Sequence, residues 1–357
     1  MLTDRMLYLP RADGGRLLTT RPPDHLTASR DHPTTMTYFI GVDVGGTHLR
    51  AARFAGQTHT PEAKAKSPTL AAKGREMVLQ RLERVIRDVC PEDLSQVAGI
   101  GLAIPGPVNP QTGILLTAAN IPGWDNVPLK QIMEERLGRP VFPGNDANLA
   151  ALGEWKFGAG RGHNDVLYLT ISTGIGGGVI SGGQMLLGAQ GLGAELGHSL
   201  AVPDGPLCGC GQRGHLEAVA SGTAIGRLAQ ARLRAGDGAD SKIWELASGE
   251  VEHVTGAVVG EAALVGDVFA TRLITEAGLF LGRTLASLLC IFNPSIVIMG
   301  GGVSMLGEVL FNPVREAVKR HAMSEAFWRD CPIVPAALGD DAGLVGAGAL
   351  AMEQVRR

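Results

Sequence analysis

From Tyr38 onward, apolar residues come in short runs separated by glycine-rich turns, and the period of those runs alternates between strand and helix. "YFIGVDV" and "HLRAARF" read as two strands joined by the turn Gly45-Gly46-Thr47. "REMVLQRLERVIRDVC" has the spacing of an amphipathic helix, and "VAGIGLAIPG" reads as a buried strand entering a Pro/Gly turn. "PVFPGNDANLAALGEWKFG" reads as a short strand, a loop and a helix whose start is marked by Asn145 and Asp146. "DVLYLTISTGIGGGVISGG" repeats the strand–glycine turn–strand theme of the first unit, as an internal duplication would. Further on come a long buried helix ("TRLITEAGLFLGRTLASLLCIFNP"), a strand ending in glycines ("SIVIMGGGVS") with another helix after it, a short strand ("CPIVPAAL") and a closing helix ("DAGLVGAGALAMEQV"). Residues 1–36 break this pattern. Pro10, Pro22, Pro23 and Pro33 interrupt any periodicity, so this stretch is expected to be a poorly structured, disordered extension, with Met36 as the start of the folded chain.

Composition narrows the class. The length of 357 residues suits two domains or one large one. A net charge of −3 argues against a nucleic-acid or membrane-surface binder, and no uninterrupted apolar stretch reaches the length of a membrane span. The first residues carry no apolar signal-peptide core, so a cytoplasmic protein is expected. Fifty glycines, about twice the usual share, cluster in the turns, where close approach of backbone to a ligand needs them. Five cysteines do not form a secreted disulfide framework: Cys208 and Cys210 are placed to share a metal, and Cys90 and Cys290 lie in apolar contexts.

Two turns offer nests of backbone N–H groups suited to anions: Asp43-Val44-Gly45-Gly46-Thr47 and Ser172-Thr173-Gly174-Ile175-Gly176. Each is also readable as a plain turn, but two in one chain could hold a polyphosphate from both sides of a cleft. The Asp43 carboxylate suits a nucleotide's Mg²⁺, held through water. Gly300-Gly301-Gly302 is a third point of close approach, suited to an adenine or ribose face. Asn145-Asp146 is either an ordinary N-cap pair or a hydroxyl-binding amide beside a general base. In "GAELGHSLAVPDGPLCGCGQRGHLEAVASG", His198, Cys208, Cys210 and His215 make a complete tetrahedral set for a structural Zn²⁺, against the alternative of buried thiols and a surface histidine. Pinning that loop would fix Glu195 and Glu217 as acceptors for sugar hydroxyls.

In this order the motifs resemble the ROK family of sugar kinases, open reading frames and repressors, over the chain from Tyr38 to about Met352. "GVDVGGTHLRAARF" and "STGIGGGVI" are similar to its two phosphate motifs, "GLAIPGPVNPQTG" and "NIPGW" to its sugar-side segments, "GNDANLAALGE" to its catalytic segment, and "GAELGH" with "CGCGQRGHLEAVASG" to its zinc signature. The resemblance implies a two-domain, actin-like ATPase (ribonuclease H-like, hexokinase-type) α/β fold with a cleft between domains: residues 37–145, a larger domain 146–340 with the zinc loop, and a C-terminal helix in 341–357 packing back on the first. It implies Asp146 as the base on the sugar's 6-hydroxyl, and Gly106, Asn120, Asn145, Glu195, His198 and Glu217 around the sugar. ATP–Mg²⁺ falls to Asp43, Gly45, Gly46, Thr47, Thr173 and Gly174, with Gly301 near the adenosine. Where the family usually has a third cysteine, this chain has His215, and a Cys2His2 zinc set is chemically sound. Glucokinase activity is the leading expectation, with N-acetylmannosamine, N-acetylglucosamine, fructose or allose as other acceptors and polyphosphate as another donor. The resemblance also implies a homodimer or homotetramer. A sugar-responsive repressor would need a DNA-binding module that residues 1–36 are too short and proline-broken to form. Deletion of residues 1–35 is expected to leave the yield of soluble folded protein unchanged, as read by expression and circular dichroism.

Overall fold

The computed structural model describes residues 36–118, 121 and 123–356. The extension expected over residues 1–36 therefore lies, apart from Met36, outside the described residues. The chain begins with β1 (Tyr38–Val44), β2 (His48–Ala55) and β3 (Ala63–Pro68), followed by α1 (Arg75–Arg87), β4 (Val97–Ile104), α2 (Leu129–Leu137) and β5 (Val141–Asn145). Helix α3 (Asp146–Phe157) then leads to β6 (Val166–Ile171), β7 (Ile175–Ser181) and β8 (Gln184–Met185). After the Cys/His loop come α4 (Leu216–Ala220), α5 (Gly222–Arg234), α6 (Ile243–Leu246), α7 (Gly256–Leu264) and α8 (Val268–Phe292). The chain closes with β9 (Ile296–Gly300), α9 (Glu308–His321), β10 (Ile333–Pro335) and α10 (Ala342–Arg356).

Two five-stranded sheets result, in the orders β3-β2-β1-β4-β5 and β10-β9-β6-β7-β8. Each opens with an antiparallel hairpin, β1–β2 or β6–β7, and continues with parallel strands on the far side of it, β4 and β5 or β9 and β10. The duplication legible in the two glycine turns thus extends to whole sheets.

Alternation along the strands sorts the faces. Ile40, Val42, Val44, Ile100, Leu102 and Ile104 point to the core beneath α1 and α2. The intervening positions of β1 and β4 include Gly41, Gly99, Gly101 and Ala103, and they meet α10. In the second sheet Leu167, Leu169 and Ile171 face the large helical core, while Gly176 and Gly178 lie against Ala147 and Ala151 of α3. Glycine is costly in a strand unless another backbone must come close, and here it does. A Cβ on Gly101 would collide with the Ala347 carbonyl, and one on Gly346 with the Leu149 carbonyl. Helices α3 and α10 are the two crossings between the sheets, and they pack on each other through Gly153 and Gly346.

Two local expectations change. No loop separates β5 from α3, because the strand ends at Asn145 and the helix begins at Asp146. Strand β3 escapes the hydrophobic pattern because it is an edge strand alternating half-buried and exposed positions, with no large apolar side chain. Helix α8 is long and apolar enough to cross a membrane, but its apolar face is buried in the second core with α7 and α9.

Gly346→Ala forces a Cβ into a backbone carbonyl that cannot swing away. It should lower unfolding free energy by about 3 kcal/mol, the upper end of overpacking costs. Denaturant titration reads this, and a loss below about 1 kcal/mol would mean that the helix crossing relaxes.

Candidate functional site

The expected site residues gather at the carboxyl ends of the parallel strands, where α/β sheets commonly bind ligands. Asp43 is the second-to-last residue of β1, Gly106 follows β4, Asn145 and Asp146 join β5 to α3, Thr173 follows β6, and Gly301 follows β9.

The first glycine turn is closed by Gly45 N–H donating to the His48 carbonyl at 2.9 Å. Thr69, fully buried, braces it from behind: its hydroxyl donates to the Gly45 carbonyl at 2.6 Å and its N–H to the Thr47 carbonyl at 2.8 Å. Gly46 and Thr47 are left exposed. Asp43 stands on the α10 side of β1, with its Oδ2 accepting from Arg50 at 2.6 Å. In the second turn Ser172 N–H donates to the Gly174 carbonyl at 2.9 Å, and Ser172 and Thr173 are exposed. Helix α5 starts against this turn: Gly222 N–H donates to the Ser172 carbonyl at 2.8 Å, and Ser221 caps the helix through Ala224 N–H at 3.1 Å. The positive end of α5 therefore lies beside the turn, which favours an anion there. From this turn a cavity of about 760 Å³ runs between α5, α7 and the turn after β9, with Thr173, Thr223, Thr255, Val303 and Leu306 in its walls. That volume suits a nucleoside-sized ligand. Gly302 lines the cavity. Gly301 sits beside it at φ 83° with its backbone against Ile171, where any side chain would clash.

At the base of the cleft Asn145 caps α3, its Oδ1 accepting from Asn148 N–H at 3.0 Å, while its Nδ2 donates to the Gly106 carbonyl at 3.2 Å. Gly106 needs its φ of 112° and has no room for a side chain against the Thr117 carbonyl. The amide keeps a second N–H and a second lone pair for a ligand. Asp146 is the first residue of the helix, and both readings of the Asn145-Asp146 pair are compatible with this corner. Burial pushes the Asp146 carboxyl up to about 6. The Ala147 N–H pulls it back, and the charges of Asp43 and Glu195 push it further up. A carboxyl so placed is ionised at neutral pH yet more basic than a solvated one.

The Cys/His loop packs beside the second glycine turn. The ligand atoms of His198, Cys208, Cys210 and His215 all lie within 4.8 Å of one another. Cys208 Sγ is 3.6 Å from His198 Nδ1, and Cys210 Sγ is 3.2 Å from His215 Nδ1. A tetrahedral Zn²⁺ with its usual bond lengths sets such N···S edges at about 3.5 Å, so the four side chains fit that ion. Burial pushes the Cys208 thiol up to about 11, a cost that a bound cation reverses by holding the thiolate. Glu217 links this loop to the second turn: its Oε2 accepts from Ile175 N–H at 3.0 Å, and its Oε1 lies 3.4 Å from Cys208 Sγ. A Cβ on Gly174 would displace that Oε2 and break its bond to the turn. Burial also raises the Glu195 carboxyl, with His198 lowering it and Glu217 raising it further.

Of the expected residues, Asn120 lies outside the described residues. Asp43, Asp146, Glu195, His198 and Glu217 converge, and Gly106 joins them through Asn145. The sequence reading missed Thr69, Arg50 and the cavity walls on α5 and α7. The only local signals for those walls were the helix caps Ser221 and Thr255, which say where a helix starts and not what it faces.

The sequence model of the ROK family matches residues 39–354. A glucokinase of Thermotoga maritima is 40% identical over 316 residues, covering 88% of this chain and 98% of that protein. A glucokinase of Streptomyces coelicolor is 36% identical over 325 residues, covering 88% and 97%. Among solved structures, that of a ROK family glucokinase from Streptomyces griseus in complex with glucose and AMPPNP matches with a TM-score of 0.77 at 37% identity, covering 88% of this chain and 98% of that one. The architecture is thus the actin-like, hexokinase-type α/β fold. Agreement over nearly the whole described length, in sequence and backbone alike, places this chain in the ROK family.

Proposed function

We propose that this chain transfers the γ-phosphoryl group of ATP to the 6-hydroxyl of a hexose, with glucose as the preferred acceptor. The observation that carries this reading is Asp146, a buried carboxylate of raised basicity at the first residue of α3, within electrostatic reach of Asp43 and Glu195. The glucokinase relatives and the glucose- and AMPPNP-bound neighbour support the choice of substrates.

In this reading the ionised Asp146 accepts the 6-hydroxyl proton as the oxygen attacks the terminal phosphorus in line. Asn145, with Gly106 behind it, Glu195, His198, Glu217 and Asn120 hold the ring hydroxyls and exclude other poses. The backbone N–H groups of Gly46, Thr47, Thr173 and Gly174 face the phosphates, where charge spreads in the transition state, while Gly45 spends its own N–H on the His48 carbonyl and shapes the turn beneath them. The adenosine takes the cavity beside Gly301. Mg²⁺, arriving with the nucleotide near Asp43, supplies neutralisation of phosphate charge. His198, Cys208, Cys210 and His215 would hold Zn²⁺, which would stiffen the loop without entering the chemistry. His198 keeps its other nitrogen for a sugar hydroxyl, as ligating histidines commonly use it.

Asp146→Asn should lower kcat at least about 10²-fold, with glucose binding by calorimetry retained; turnover near the wild-type level would remove Asp146 from the role. Because its carboxyl is raised, the ionised base is lost as pH falls through about 6. The kcat/KM profile, which reports the free enzyme, should then fall tenfold per pH unit below that midpoint, a limb missing if another group is the base.

The purified protein should carry one equivalent of zinc by elemental analysis. Cys208→Ser should lose it and melt at a lower temperature, while His215→Cys keeps it. A coupled ADP-release assay over glucose, mannose, fructose, allose, N-acetylglucosamine and N-acetylmannosamine should show preference for glucose. Silence with all six, in zinc-replete protein, would favour a binding role.

A further inference from the structure

A cationic side chain beside the phosphate site has no part in the scheme above. Arg50 is the register partner of Asp43 across β1 and β2, so the two side chains share a face of the hairpin. Its Nε and Nη2 donate to the same oxygen, Asp43 Oδ2, at 3.0 and 2.6 Å. Nη2 also donates to the Asp340 carbonyl at 2.7 Å, and Nη1 lies 3.8 Å from Asp341 Oδ1. Lys64 on β3 pairs with the other oxygen of Asp341 at 2.6 Å. Asp340 and Asp341 belong to the strap between β10 and α10, the return crossing between the sheets. The start of the same strap is held by Glu154 of α3, a fully buried carboxylate that accepts from Ala337 N–H at 3.1 Å and Leu338 N–H at 2.7 Å. Arg50 is thus clamped between Asp43 and an anchored segment, and its guanidinium cannot lose its charge.

The electrostatic setting gives this clamp a consequence. The charge of Asp43 raises the Asp146 carboxyl, so Asp43 lies within electrostatic reach of the base. A free divalent cation settled on Asp43 without nucleotide would lower the basicity of Asp146. Arg50 puts a permanent positive charge on Asp43 and holds its rotamer.

We propose that Arg50 is a positioning residue that suppresses free divalent-cation binding at the cleft, so that the metal enters and leaves with the nucleotide phosphates. This rests on the reading of Asp43 as the carboxylate beside the nucleotide's metal. It predicts a gain on mutation, which a purely structural role of Arg50 would not produce.

The test is Mn²⁺ binding followed by electron paramagnetic resonance, with and without the non-hydrolysable ATP analogue AMPPNP. Without nucleotide, Arg50→Met should bind Mn²⁺ roughly fivefold or more tightly than wild type, as removal of a unit charge a few ångströms away implies. Arg50→Lys, which keeps the charge, should bind it as weakly as wild type. Unchanged or weaker Mn²⁺ binding in Arg50→Met overturns the proposal. Asp43→Asn separates the two levels. If it weakens Mn²⁺ binding with AMPPNP while Arg50→Met shows no gain, the reading of Asp43 stands and only the role of Arg50 falls. If Asp43→Asn leaves Mn²⁺–AMPPNP binding unchanged, that reading falls and takes the role of Arg50 with it.

Discussion

The contact on which the rest of this protein depends is the crossing of α3 and α10 between the two sheets. Their backbones approach more closely than any side chain permits, with Gly346 against the Leu149 carbonyl and Gly153 against the start of α10. The inner faces of both sheets are small for the same reason: Gly41, Gly99 and Gly101 under α10, Gly176 and Gly178 under α3. Close packing of this kind leaves no slack, so displacement of either helix is transmitted to both sheets. The two chain crossings run through this layer, and the first residue of α3 is Asp146.

Electrostatics at the cleft follow from that placement. Asp146 sits where a sheet, a helix start and a second lobe meet, so burial raises its carboxyl before any neighbouring charge acts. Asp43 stands on the same inner side because strand alternation puts Gly41 and Asp43 toward α10 and Val42 and Val44 away from it. The N-terminal end of α5 faces the second turn, opposite in sign to the carboxylates.

The Cys/His loop has little core of its own, and its hold on the cleft comes through Glu217. That one side chain touches the Cys208 sulfur and the backbone of the second turn. The loop, its two glutamates and the turn at Gly174 therefore form one connected unit, and loosening the cysteines would loosen the turn.

Much of this was legible in the chain itself. Short-range rules set both hairpins, the helix start at Asn145-Asp146, and the grouping of His198, Cys208, Cys210 and His215, because turn chemistry, capping and loop closure depend on residues close in sequence. The doubled glycine turn already announced two halves of one design. What sequence periodicity missed depended on partners far along the chain. Strand β3 has no apolar signature because an edge strand needs none on its open side. The cavity walls on α5 and α7 carry only helix caps, and nothing local says what those helices face. Arg50 looks like any charged strand residue until pairing register sets it opposite Asp43 and the return crossing brings Asp341 to it. Period and turn type are local properties of a chain. The meeting of Arg50, Asp43 and Asp341, like the raised carboxyl of Asp146, exists only once two sheets and two crossing helices have closed around it.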